Sequence, residues 1–152
     1  MTAASNYLEN EILDHILGEG ARNFTSPATL FVGLFSGSAA TALESGDATT
    51  GSSSNWGYYE INNGGYERKA IDFAAASSGS AASSTTVTFP QATADYDTAG
   101  SQGNTVTHIA IIDNGTAGAG NVLFYGALST TKTVTNGDTF QINSGSLTIS
   151  LA

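Results

Sequence analysis

Apolar positions recur at a helical period in one segment of this chain and at a period of two in most of the others. Over residues 6–17 the apolar residues follow one helix face: Leu8, Ile12 and Ile16, with Leu13 and Leu17 beside them. This spacing predicts an amphipathic helix, for which Asn6 is a candidate N-cap with Glu9 three residues later. We expect the helix either to pack its stripe on a sheet or to dock as an arm on another subunit.

Short apolar runs with period-two alternation predict seven or eight strands: residues 29–35, 66–73, 86–89, 106–112, 121–128, 132–135, 139–142 and 146–151. Residues 29–35 are apolar at both alternating sets of positions, which is typical of a strand buried on both faces. Asn136 and Gly137 predict a hairpin turn between residues 132–135 and 139–142. The pattern indicates a mainly β fold, an antiparallel sandwich or jelly-roll-like domain with one N-terminal amphipathic helix.

We expect a single domain over residues 1–152, with the helix arm at about 6–17 and the β-domain at about 28–152. Residues 36–57 and 74–84 are rich in small polar residues and are predicted to be long loops. Gly, Ala, Ser and Thr make up about half of the chain, and Leu, Ile, Val and Phe about a fifth. A core this thin is marginal alone, so burial of further surface against neighbouring chains would stabilise it.

The net charge of −9 argues against nucleic acid as a partner, since neutralising phosphates needs Lys and Arg. The same charge argues against an anionic membrane, and the apolar runs are too short to span one. Cysteine is absent, which excludes disulfides and thiolate metal sites. The first ten residues carry no basic or apolar leader pattern, so we expect no secretory signal.

Candidate catalytic or metal-binding residues are few. His15 is predicted to lie on the helix surface, and His108 in a strand as a hydrogen-bonded core or interface residue. Asp95 and Asp97 flank Tyr96, where the two carboxylates either bind a hard cation or belong to a solvated turn. We expect no cofactor and no enzymatic activity, with a small hydrolase based on these residues as the weakest hypothesis.

Three large aromatic residues, Trp56, Tyr58 and Tyr59, lie within four positions beside small polar residues. They are candidates for an interaction surface together with Leu8, Ile12 and Ile16 on the helix. The alternative is that the aromatic residues cover the edge of the core. Arg68 is expected to pair with an acidic residue of the same fold or of a neighbour.

Four segments, in their order and spacing, resemble small virion proteins of tailed bacteriophages: LENEILDHILG at 8–18, PATLFVGLF at 27–35, GGYERK at 64–69 and NGDTF at 136–140. Members of that family are identified either as head decoration (cement) proteins or as tail-fibre proteins. The chain departs from the family in its longer loops near residues 45–57 and 74–85.

The resemblance implies a structural virion protein that is made in the host cytoplasm and located on the capsid exterior. Its first expectation is a decoration protein that binds the major capsid protein as a homo-oligomer, typically a trimer, and holds neighbouring subunits together. Its second expectation is a tail-fibre or receptor-binding module that recognises a host surface glycan. Long loops and the aromatic cluster at Trp56, Tyr58 and Tyr59 favour the second, whereas small size and the absence of a fibrous shaft favour the first.

Overall fold

The computed structural model describes residues 3–18, 24–45 and 55–150. A five-stranded antiparallel sheet organises these residues, with two two-stranded sheets beside it. The strands assigned within them are β1 (Ala3–Ala4), β2 (Leu30–Ser36), β3 (Lys69–Ile71), β4 (Ser80–Ala82), β5 (Val87–Thr88), β6 (Thr105–Ile112), β7 (Val122–Thr133), β8 (Gln141–Ile142) and β9 (Thr148–Ser150). In the large sheet the spatial order is β1-β7-β6-β2-β3, whereas β4 pairs with β9 and β5 with β8.

Helical structure is concentrated on the N-terminal side of the chain. Helix α1 (Asn6–Leu17) has the bounds that the sequence pattern predicts, and it packs against β7. A second short helix, α2 (Ala40–Ser45), lies within the predicted loop at 36–57, and a 3-10 turn (Trp56–Tyr58) overlaps its end. Residues 46–54 of that loop lie outside the described part of the chain. No helix in the described ranges is long and apolar enough to cross a bilayer.

The large sheet is buried on both faces, as the doubly apolar pattern of β2 predicts. Val32 and Leu34 point to one hydrophobic cluster, which also contains Ile109 and Ile111 of β6. Phe35 belongs to a second cluster on the other face, together with Ala110, Ile112 and Trp56. The mainly β, antiparallel fold predicted from the sequence is confirmed, and it is consistent with a β-sandwich.

Several predicted strands differ from the observed ones. The predicted strand at 121–128 and the first two residues of the one predicted at 132–135 belong to one long strand, β7, which contains a bulge. The hairpin predicted around Gly137 is wrong as a strand pair, because β8 pairs with β5. A turn is nevertheless present, since the N–H of Asp138 donates to the carbonyl of Thr135 at 2.9 Å and Gly137 has a φ of 91°.

Replacement of Ile111 by Ala tests the importance of the central strands. Ile111 is fully buried in β6, so its truncation is expected to lower the free energy of unfolding by about 2–5 kcal/mol. Urea denaturation followed by circular dichroism measures this loss. Ile149→Ala in the small β4–β9 sheet is the control, and its loss should be smaller because Ile149 is only half-buried. Equal losses would contradict this account of the core.

Candidate interaction surface

The first half of α1 is fixed to the sheet. Ser5 is the N-cap, and its Oγ accepts a hydrogen bond from the backbone N–H of Leu8 at 3.3 Å. The Ser5 hydroxyl also donates to the carbonyl of Val122, and the Ser5 N–H donates to the carbonyl of Leu123 at 3.0 Å. The N-cap predicted from the sequence is Asn6, whereas the observed N-cap is Ser5, one residue earlier. Ser5 takes this position because it keeps the extended conformation of β1.

The second half of α1 leaves its apolar residues in water. Leu13, Ile16 and Leu17 are 53%, 70% and 71% exposed, and they are the exposed large hydrophobic residues of the described chain. Residues three and four positions apart share one helix face, so these three side chains form a single surface, which we name the α1 patch. Contiguous exposed apolar side chains are typical of protein interaction sites.

The sequence-predicted helix residues therefore divide between two environments. Leu8 is buried in the fold, Ile12 is half-buried, and Ile16 belongs to the α1 patch. Leu13 and Leu17, which lie beside the predicted stripe, carry much of the exposed surface. The number of apolar residues in the sequence indicates this exposed surface. Five apolar residues in a twelve-residue helix form a stripe wider than one packing face buries.

Trp56 is a core residue and not part of an exposed surface. Its side chain is fully buried, and its ring meets that of Phe35 edge to face with centroids 6.1 Å apart. The guanidinium carbon of Arg68 lies 5.2 Å from the centroid of the indole, a cation–π distance. The placement of Trp56 corresponds to the alternative in which the aromatic cluster covers the core.

Tyr58 and Tyr59 are half-buried, with ring centroids 5.1 Å apart and nearly perpendicular planes. The ring of Tyr58 lies directly on Gly100, where an added Cβ would be only 2.2 Å from it. Tyr59 packs against the cluster that contains Trp56. An interaction role for Tyr58 and Tyr59 stays a prediction, and only part of each side chain is exposed for it.

A buried ion pair underlies this region. Arg68 Nε donates to Glu60 Oε1 at 2.6 Å and Arg68 Nη2 donates to Glu60 Oε2 at 2.7 Å, a side-on bidentate arrangement. Both residues are almost completely buried. The pairing of Arg68 with an acid of its own fold, one of the two alternatives from the sequence, is therefore confirmed, and the acid is Glu60.

Surrounding groups fill the remaining hydrogen-bonding positions of Glu60 and Arg68. The Tyr66 hydroxyl donates to Glu60 Oε1 at 3.1 Å, and the N–H of Gly118 donates to Oε2 at 2.7 Å. Arg68 Nη1 donates to the carbonyls of Asn114 and Ala119 at 2.5 and 2.8 Å. Burial, and then the charge of Glu60, raises the pKa of the Tyr66 phenol well above its usual range.

The predicted cation-binding residues serve as turn caps. Asp95 Oδ1 accepts from the N–H of Asn136 at 2.8 Å, whereas Asp97 Oδ1 accepts from the N–H groups of Thr98 and Gly103 at 2.8 and 2.9 Å. These hydrogen bonds fit the alternative in which Asp95 and Asp97 belong to a turn. Within residues 3–18, 24–45 and 55–150, no three His, Cys, Asp or Glu side chains are grouped so that they could hold a metal ion.

The two histidines occupy the places that the sequence suggested. His15 is exposed on α1, and His108 is half-buried in β6. His108 Nδ1 and Thr107 Oγ1 lie 2.9 Å apart and share a hydrogen bond, and Thr107 Oγ1 is also 2.9 Å from the carbonyl oxygen of Gly37. This hydrogen bond orients the ring, in agreement with the hydrogen-bonded histidine predicted from the sequence.

The described residues therefore form an antiparallel domain with an exposed apolar helix face, a feature typical of proteins that bind other proteins. Comparison with protein families agrees: the model of the family described as "Podophage GP4 fiber I protein gp80" matches residues 3–150. Because the match covers nearly the whole chain, the chain belongs to this family of phage fibre proteins, which are structural and generally non-enzymatic. None of the curated proteins matches the chain.

Glu60→Gln tests the buried pair. The substitution keeps the shape of the side chain but leaves the Arg68 guanidinium buried without a counter-charge, so we expect a loss of about 3–5 kcal/mol in the free energy of unfolding. Urea denaturation measures it. Glu67→Gln is the matched control, because Glu67 pairs with Lys69 at 3.2 Å on the surface and should contribute at most about 1 kcal/mol. A Glu60→Gln variant as stable as the control would contradict this role.

The protonation of His108 predicts a pH dependence of stability. Burial disfavours the charged imidazolium and lowers the pKa of His108 in the folded state. The resulting stability is present above the unfolded value of about 6.5 and is lost as the pH falls through the folded pKa. We expect a lower urea midpoint at about pH 5 than at about pH 7.5. His108→Asn should reduce this difference, whereas His15→Asn should preserve it; the reverse result would contradict the assignment.

Proposed function

We propose that this chain is a structural subunit of a podophage tail fibre, which acts by cohesion with neighbouring subunits. The family match over residues 3–150 carries this proposal. It supports the fibre alternative better than the capsid decoration role that the sequence placed first, since the family is one of fibre proteins. The thin core and the apolar surface on α1 are the physical features that fit a subunit stabilised within an assembly.

The α1 patch is the contact that we assign to this cohesion. Burial of a large aliphatic side chain contributes roughly 1.5–3 kcal/mol, so Leu13, Ile16 and Leu17 together supply a substantial part of an association energy. A second copy of the same chain is the occupant we propose, because closed homo-oligomers are the commonest assemblies and the resemblance to virion proteins implies a homo-oligomer, typically a trimer. Ile12, half-buried beside the patch, extends the same surface.

Charge modulates this association. Every copy carries a net charge of −9, and Glu9, on α1, is exposed. Copies brought together at α1 repel one another at low ionic strength, and salt screens that repulsion over about 10 Å at 0.1 M. Self-association is therefore expected to strengthen as salt is added, which is opposite to an interface held by attraction between unlike charges.

The triple substitution Leu13→Ser, Ile16→Ser and Leu17→Ser tests the assignment. These residues are exposed, so the monomer fold should persist in circular dichroism while the oligomer seen by sedimentation equilibrium dissociates. The control is Glu11→Gln, on the same helix, which should not weaken assembly. A chain that sediments as a monomer with and without the triple substitution would contradict self-association through α1.

The location within the virion is tested separately by immunogold electron microscopy of intact particles. An antibody against this chain should label the tail fibres. Labelling of the head would contradict the fibre role and favour the decoration role.

A further inference from the structure

A cleft of about 770 Å³ lies between the second half of β7 and the segment at 138–147. Its volume is in the range of small-molecule sites, roughly 300–1,000 Å³. The cleft is remote in sequence from α1 and from the aromatic cluster, and none of the sequence-predicted site residues lines it.

The floor of the cleft is apolar. Ile109 of β6, Ile142 of β8 and Leu147 contribute it, and each of them is buried in the main hydrophobic cluster. Phe140 also lines the cleft and is 8% exposed. A floor of aliphatic and aromatic carbon complements the C–H faces of a ring-shaped ligand and excludes water beneath it.

The rim is rich in uncharged hydrogen-bonding groups. One side is a bulge of β7: His108 pairs with Ala127 and Val106 with Lys132, so residues 128–131 stand opposite Thr107 alone. This bulge places Ser129 and Thr130 in the lining of the cleft. The other side carries Thr139, Gln141 and Asn143.

One cation and one carboxylate complete the lining. Of the Lys and Arg residues in the described chain, Lys132 is the one whose side chain has no hydrogen bond or ion pair, since Arg68 pairs with Glu60 and Lys69 with Glu67. Asp138 Oδ2 accepts from the N–H and the hydroxyl of Thr135, both at 2.8 Å, which fixes its carboxylate. The lining is thus electrically neutral in a protein of net charge −9.

These features select among ligand classes. The bulge interrupts the strand edge, which disfavours pairing with an added β-strand. A single lysine without a helix N-terminus is too little for a phosphate group, and a single carboxylate is too little for a metal ion. Alcohol and amide groups around an apolar floor fit a polyhydroxylated ring that offers both hydrogen-bonding edges and apolar faces.

We propose that this cleft binds a short neutral oligosaccharide, with Lys132 donating to, and Asp138 accepting from, its hydroxyl groups. The inference rests on the proposed fibre function for its biological purpose, since an appendage of the virion is what meets a cell-surface glycan. It moves the glycan-recognition hypothesis from Trp56, Tyr58 and Tyr59, where the indole is buried, to a different part of the surface.

The test is a nitrogen-15 NMR titration of the full chain with neutral trisaccharides of glucose, mannose, galactose and rhamnose, and with trigalacturonate as the acidic probe. At least one neutral trisaccharide should shift the amide resonances of residues 128–133 and 138–147. Lys132→Ala should weaken that binding about tenfold through loss of a charge-assisted hydrogen bond. Lys69→Ala, the matched control on β3, should leave it unchanged.

Thr130→Trp is a second variant, and it should abolish trisaccharide binding. Thr130 is exposed, so a large ring there would block the cleft without disturbing the core. The proposal is overturned if no neutral trisaccharide shifts these resonances, if the shifts lie elsewhere, or if trigalacturonate alone binds. Binding is measured on the purified chain, whereas the fibre function is tested on particles and by sedimentation. Failure of one is therefore distinguishable from failure of the other.

Discussion

The buried pair of Glu60 and Arg68 is the interaction on which the arrangement of this fold depends. Taking two charges out of water costs several kcal/mol per ion, and the pair is tolerated because its remaining hydrogen-bonding positions are filled. The partners come from separate parts of the chain: the phenol of Tyr66, the N–H of Gly118 and the carbonyls of Asn114 and Ala119. The pair thus fixes the loop that joins β6 to β7, and it sets the guanidinium over Trp56.

This network explains how a chain with few large apolar residues defines one structure. Gly33 of β2 shows the close fit, since a Cβ there would lie 3.1–3.2 Å from Phe35, Glu60 and Ile112. Small residues such as Gly33 let strand β2 and the Glu60–Arg68 pair lie close together. The directional hydrogen bonds of the pair then favour one structure over alternatives, which a thin core alone would not do. The apolar surface left over is concentrated at the end of α1, where it is available for assembly.

The sequence predicted those features that depend on local pattern. The bounds of α1, the antiparallel β fold and the doubly buried β2 follow from periodicity, because apolar spacing reports directly on burial. The partner of Arg68 and the pairing of β8 with β5 depend on contacts between distant segments, which no local pattern encodes. Trp56 illustrates the limit: an aromatic residue beside polar neighbours suits an exposed surface or a core edge, and only its packing on Phe35 decides.

Strand β7 connects the two surfaces to which we assign functions. Its first half pairs with β1 at Phe124 and Tyr125 and supports α1, whereas its second half leads through the bulge to Lys132 at the cleft. Tyr125 and Lys132 are separated by at most roughly 23 Å of extended strand. A single strand hydrogen-bonded to β6 on both sides of the bulge is a stiff connection, so subunits joined through α1 would present their clefts in a fixed geometry. Weak binding at each cleft would then add up across an oligomer, and this multivalency would give a neutral site useful affinity.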